Sequence, residues 1–306
     1  MPPPFLVPRW KKMAEMAMDI HRDSSLLFEQ LKHPALGPQE AMLIMRNCTV
    51  PIPGYLSRVL PPAVLSPAAQ AFDRELLDTA TVKLQLTHVT PPEAQQLKRK
   101  LINAGFGLTS VAEISPIAYT CALASAAKLL CNPMLKILPN GTPHTGSAFA
   151  KDLSDALAAT RLAVGENKAS IKLLPPADLP DSQALTWYAT TGAEVADQDS
   201  KLQRALTHIA DSCRFDQVLA TANPVDKARL LSASGKSASA WLTAIPSDST
   251  CRLSPREYRI ASRLRLGLRA HDGQALKCVC GNTNAQSDIH HGLSCIKFPH
   301  ICQHAP

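Results

Sequence analysis

The chain has 306 residues, 45% of them hydrophobic and 19% charged, a composition normal for a chain that buries a real core and is globular in most of its length. A count of 32 Lys and Arg against 25 Asp and Glu gives a formal net charge of +7, compatible with a polyanionic partner but too small to require one. Nine cysteines, an odd number and mostly scattered singly through apolar stretches, argue against a disulfide framework and for a reducing intracellular compartment, nucleus or cytoplasm undetermined.

The opening MPPPFLVPRWKK reaches its charges without an apolar run of adequate length, so no secretory signal is expected. The longest uncharged apolar stretch, Ile114 to Ala127, falls short of the ~20 residues a membrane helix needs, so no membrane partner is expected either. The 25 prolines predict short helices broken by turns. Helical spacing of apolar residues predicts a first helix from Asp23 to Leu31, and Gly37-Pro38 opens a second in which Ala41, Leu43, Ile44 and Met45 face inward. Pro51, Pro53, Pro61 and Pro62 bracket a short piece carrying Tyr55, Leu56 and Arg58. Ser66 then reads as the N-cap, and Pro67 as the first position, of a longer helix through Phe72 and Leu77. Its acidic residues Asp73, Glu75 and Asp78 have basic neighbours and read as a solvated face.

A helix around Glu93 to Leu101, a glycine turn at Gly105-Phe106-Gly107 and an apolar helix from about Ser115 to Leu130 come next. The turn-rich stretch from Pro139 to Gly146 and the proline- and acid-rich loop from Pro175 to Asp181 are the candidate boundaries. A second helical block starts near Gln198 and runs to about Ala220. Asn223-Pro224 begins a further helix, and Trp241 and Leu242 lie on a short one before Pro246. Nothing reads as an alternating strand. The expected fold is mainly α, with two blocks of short, proline-punctuated helices: a helical domain over 1–140, a loop-rich connector over 141–182, a second helical domain over 183–270, and a small tail over 271–306.

The sharpest helix start is Ser254-Pro255-Arg256-Glu257, where Ser254 caps, Pro255 takes the first position and Glu257 reaches back to the cap amide. This helix carries Arg256, Arg259, Arg263 and Arg265 around Tyr258, Ile260, Leu264 and Leu266, and Gly267 stops it just before Arg269. The arginines are expected on its exposed arc. The tail then offers Cys278, Cys280, His291 and Cys295, two pairs of soft and imidazole donors on short turns, a set that suits a tetrahedral zinc ion. His290 is an alternative to His291, and His300, Cys302 and His304 are spare donors. So short a tail would be ordered by coordination rather than by a core of its own.

Other features have plainer readings. Gly235-Lys236-Ser237 lacks the earlier glycine and the preceding strand of a phosphate loop and reads as a helix break. Nothing orients Cys121 with His144, or Cys213 with His208, as nucleophile and base, so these thiols read as packing. Trp241 sits in a helical apolar context that favours burial over base stacking.

The ordered segments RLLSASGKSASAWLTAIPS, LSPREYRIASRLRLGL, CVCG and D-x-x-H-x-x-x-C resemble the region downstream of the polymerase core in reverse transcriptase proteins of non-LTR retrotransposons. In the N-terminal half, Gln39, Ala41, Leu43 and Arg46, then Tyr55, Leu56, Arg58, Pro61 and Pro62, then Phe72 and Asp73, are similar to the helical thumb region of that family. Gly105, Gly107 and Leu108 resemble its GGxGL turn, with Phe106 between the glycines. The resemblance runs from about residue 20 to 295 and implies that the first domain is thumb-like and the tail a zinc knuckle.

Such polymerases hold two metal ions with an aromatic-x-Asp-Asp turn. No Asp-Asp pair occurs in this sequence, and the family's palm would precede Met1. The Arg-His pair that begins the family's downstream endonuclease is also missing from the closing HICQHAP. The resemblance therefore implies no catalytic residues here and no small-molecule substrate. It implies instead weak, backbone-directed binding of RNA or DNA by Arg46, Arg58, Arg263, Arg265 and Arg269, with zinc as cofactor. Two other expectations stand beside it: a helical interaction protein or decayed fragment with no nucleic-acid role, and one part of an active RNA-directed DNA polymerase and endonuclease if the reading frame is longer.

Overall fold

A computed structural model of the chain describes residues 7–135, 137–138, 142–143, 147–165, 172–190, 199–235 and 237–269. The described residues form helices and turns and no strand, as the helical spacing predicts. None of these helices is long and apolar enough to cross a membrane.

Helix α1 (Val7–Lys32) lies along α4 (Pro62–Leu84), with Phe28 edge-on to Phe72 at a centroid separation of 5.3 Å. Between them, α2 (Pro38–Ile44) opens at Gly37 as expected, widens into a π-helical turn at Met45–Thr49, and leads to the short α3 (Leu56–Val59). Helix α4 starts at Pro62, not at Ser66-Pro67, which leaves Pro67 inside it. Pro67 removes one rung of the helical ladder. The helix continues because Leu65, Ala69, Phe72 and Leu76 form one buried stripe.

The expected solvated face on α4 is only half right. Glu75 and Asp78 do meet solvent and pair with Lys32 at 3.2 and 2.7 Å. Asp73 is instead 6% exposed. It accepts hydrogen bonds from Ser110 Oγ at 2.5 Å, Val111 N at 2.8 Å and Ala112 N at 3.2 Å, tying α4 to the first turn of α6 (Val111–Leu130). The carboxylate thus satisfies amides that the helix itself leaves without partners.

A second core gathers around α6, where Ile117, Cys121, Ala124 and Ala127 meet Leu153 and Leu157 of α7 (Ala148–Val164), Tyr188 of α8 (Ala184–Thr190), and Leu202 and Leu206 of α9 (Asp199–Thr221). Cys121 is a packing residue, and Cys213 donates its thiol to Val164 O. Helix α7 was not among the sequence expectations. Its signals were local: Ser147 caps it by accepting from Ala150 N, and Gly165 closes it at φ +63°.

The chain then returns to the first core through α10 (Pro224–Ala233), α11 (Ala240–Thr243) and α12 (Pro255–Leu266). Asn223 caps α10 as expected, and the Ser254–Glu257 capping box and Gly267 terminator bound α12 as expected. Leu242, Tyr258 and Leu266 are buried with residues of α1, α2 and α4. Trp241 stacks edge-on against Tyr258 at 5.3 Å, the packing role its context predicts. The cores therefore cut across the expected divisions at 140 and 182: α6 builds the second core, and 237–269 belongs with the first.

Buried glutamines make that return specific. Gln39 donates to Ala244 O and Cys251 O at 3.3 and 3.0 Å and accepts from Leu253 N at 2.9 Å. Gln96 donates to Ala104 O and Arg265 O at 3.0 and 2.8 Å. Each serves backbone groups in loops or at a helix end, a requirement that an apolar count does not reveal.

Candidate nucleic-acid interface

Three of the five arginines expected to meet nucleic acid turn inward. Arg265 is 7% exposed and donates to Ala238 O, Leu101 O, Gly105 O and Ser239 Oγ at 2.9–3.3 Å, with its guanidinium over the Phe106 ring. Burial lowers its pKa to about 10, with Arg229 and Arg46 pushing the same way. Arg263, 6% exposed, donates to Arg269 O at 2.7 Å and Gln85 O at 3.3 Å. Arg46 reaches Phe106 O at 2.9 Å and Leu242 O at 2.8 Å. The expected exposed arc of α12 holds Arg256, while Arg259 is half-buried and donates to Lys83 O. For Arg265 the physical reason lies in the turns at 101–105 and 238–239, whose carbonyls and Ser239 hydroxyl converge on one point where a five-donor guanidinium serves several acceptors at once.

Arg58 and Arg269 are exposed. Arg58 is held by α9, donating twice to Gln203 Oε1 at 2.9 and 2.7 Å. The proposed ligands Cys278, Cys280, His291 and Cys295, and the spare donors His290, His300, Cys302 and His304, lie outside the described residues. Among the described residues no group of three or more His, Cys, Asp or Glu side chains is placed to hold a metal ion.

A cluster of positive side chains lies elsewhere among the described residues, in a cleft where the end of α5 (Pro91–Lys98) meets α6 and α9. Its lining includes Lys98, Arg99, Lys100, Glu113, Asp211 and Arg214. The glycine turn shapes it. Gly107 N donates to Arg99 O at 2.8 Å, and a side chain at Gly105 would strike the same carbonyl, its Cβ only 1.9 Å away. The chain therefore doubles back tightly and presents 98–100 toward α9. Asp211 fixes this turn by accepting from Asn103 Nδ2 at 2.6 Å and from Lys100 N at 3.3 Å.

The charges do not balance. Glu113 pairs with Lys98 at 3.5 Å and with Arg214, and Asp211 faces Lys100. Four cations, Lys98, Arg99, Lys100 and Arg214, interact with these two carboxylates, and Arg204 adds its charge beside Lys100. Burial lowers the pKa of Arg99, and of the neighbouring cations Arg214 and Arg229 lower it further against Asp211 and Glu113. Lys100 is lowered by burial and by Arg204 and Arg214, with Asp211 opposing.

Helix α9 organises these groups in a line. Gln203, which holds Arg58, shares one face with Thr207, Asp211 and Arg214 at helical spacing, and Arg99 lies over the ring of Phe215 at 5.5 Å. From Gln203 to Arg214 this face runs about 17 Å at 1.5 Å per residue. The arrangement offers hydrogen-bond donors and positive potential without an oriented nucleophile–base pair, which suits phosphate recognition. The sequence reading passed over the run Lys98-Arg99-Lys100, although three successive cations before a glycine turn are visible without a structure. No family model matches the chain, and comparison with curated proteins and with solved structures finds no match.

Proposed function

We propose that the chain is a retroelement-derived region of a reverse transcriptase protein that performs no catalysis itself and binds RNA or DNA through backbone phosphates. The observation that carries this reading is the set of cations borne by or packed against one side of α9: Arg58 at Gln203, and Lys98, Arg99, Lys100 and Arg214 around the cleft at Asp211. Phosphates recur every few ångströms along a strand, so cations bordering about 17 Å of one helix face can follow two or three of them without reading bases. The resemblance of the flanking segments to the thumb region of non-LTR retrotransposon proteins points to the same partner. Arg269 extends the positive surface beyond α12. Cys278, Cys280, His291 and Cys295 are assigned to one zinc ion that organises the tail.

Anisotropy titrations with short labelled RNA and duplex DNA test the reading. Three phosphate contacts predict an affinity that falls roughly 20- to 40-fold between 50 and 200 mM salt. Arg58→Gln and Arg204→Gln, both at exposed positions, are each expected to reduce the salt slope by about one contact. Absence of binding at low salt, or unchanged slopes in both variants, rejects it. Elemental analysis of protein kept reduced is expected to find one zinc per chain, lost on Cys278→Ser with Cys280→Ser; metal-free wild type removes the zinc assignment.

A further inference from the structure

We infer that the cleft at Arg99 is a preformed seat for a single phosphoryl group. Arg99 is 5% exposed, lines the cleft, and has a buried Nη1 with no hydrogen-bond partner. A buried guanidinium nitrogen left without an acceptor is costly, and the cleft is the place where an acceptor can be supplied. The cleft encloses about 20 Å³, room for one oxygen-sized group. It adjoins a shallow groove of about 370 Å³ that shares Gln95, Arg99 and Arg214, where the rest of the anion fits.

Charge selects the ligand class. Arg99, Lys100, Arg204 and Arg214 repel one another around Asp211 and Glu113, and a dianion relieves more of that repulsion than a carboxylate does. Arg99, Lys100 and Arg214 all line the cleft, so the several oxygens of a phosphoryl group can take more charged donors than the two of a carboxylate. The seat rests on the proposed nucleic-acid reading only for the source of its phosphate, strand or free ion.

The test uses the full chain and inorganic phosphate, with chloride at matched ionic strength as reference. Phosphate is expected to bind saturably, with a Kd of about 0.1–10 mM by ³¹P line broadening, and to raise the thermal midpoint by a few degrees above the chloride control. Arg99→Lys keeps the charge but loses the planar fork and is expected to weaken phosphate about 10-fold. Arg214→Gln, at a half-buried position, checks the same site should Arg99→Lys fold poorly. A shift no larger than that of chloride, or equal phosphate affinity in wild type and both variants, overturns the seat. RNA binding that phosphate does not compete, with no phosphate binding, rejects the seat and keeps the nucleic-acid reading. Saturable phosphate binding without RNA binding keeps the seat and rejects that reading.

Discussion

Arg265→Ala is expected to lower the free energy of unfolding by about 3–5 kcal/mol, read as a reduced urea midpoint with an unchanged slope. The side chain fills four acceptors, Ala238 O, Leu101 O, Gly105 O and Ser239 Oγ, and truncation strands them in a region where water does not readily replace the donors. Leaving one buried polar group unsatisfied costs about 1–3 kcal/mol, and the lost packing over Phe106 adds to it. Arg265→Lys is expected to recover only part of the loss. An ammonium lacks the fork, and a site that already lowers an arginine to about 10 pushes a lysine, which starts lower, toward the neutral form. The exposed Arg256→Ala is the control and should change stability by no more than about 0.5 kcal/mol. A loss below about 1 kcal/mol at Arg265 would mean that its carbonyl contacts are not structural. The same result governs any binding experiment on α12: weaker RNA binding by an Arg263/Arg265 double substitution would report a damaged fold, because both side chains are spent inside the molecule.

What the sequence made legible was mainly what local chemistry decides. The box at Ser254 and Glu257, the Asn223 cap and the stop at Gly267 each depend on residues within a few positions, and all three formed. The start of α4 was misplaced because two Xaa-Pro signals competed and only the buried stripe through Leu65 and Phe72 decides between them. The arginines of α12 were assigned outward because a charge on an amphipathic helix ordinarily faces water. That inference fails when distant turns present convergent carbonyls, and Leu101 and Gly105 stand some 160 positions earlier in the chain. The cleft illustrates the converse. Lys98-Arg99-Lys100 was in plain view, but Arg204 and Arg214 join it only because α9 packs beside α6.

Asp73→Ala is expected to cost about 2–4 kcal/mol, because one carboxylate ties α4 to the first turn of α6, the helix that runs on into the second core. Its oxygens take the Ser110 hydroxyl and the amides of Val111 and Ala112, so truncation removes a cap, worth about 0.5–2 kcal/mol, and strands buried donors as well. Burial raises the Asp73 pKa above its ordinary 3.8, a shift that the bonds from Ser110, Val111 and Ala112 and the charge of Lys98 only partly offset. Raising a carboxyl group in the folded state means that folding favours its protonated form. The stabilising share of this one ionisation is therefore complete below 3.8 and is lost as pH rises through the raised value. This runs opposite to a surface-paired carboxylate, whose contribution disappears on acidification. Asp73→Asn keeps the shape and removes the titration, so its stability difference from wild type should narrow as pH rises through that window, read as paired urea midpoints across the acid range. A difference independent of pH would show that the folded protein leaves the Asp73 ionisation at its ordinary value. The hydrogen bonds from Ser110, Val111 and Ala112 would then serve the protonated and ionised forms of Asp73 equally.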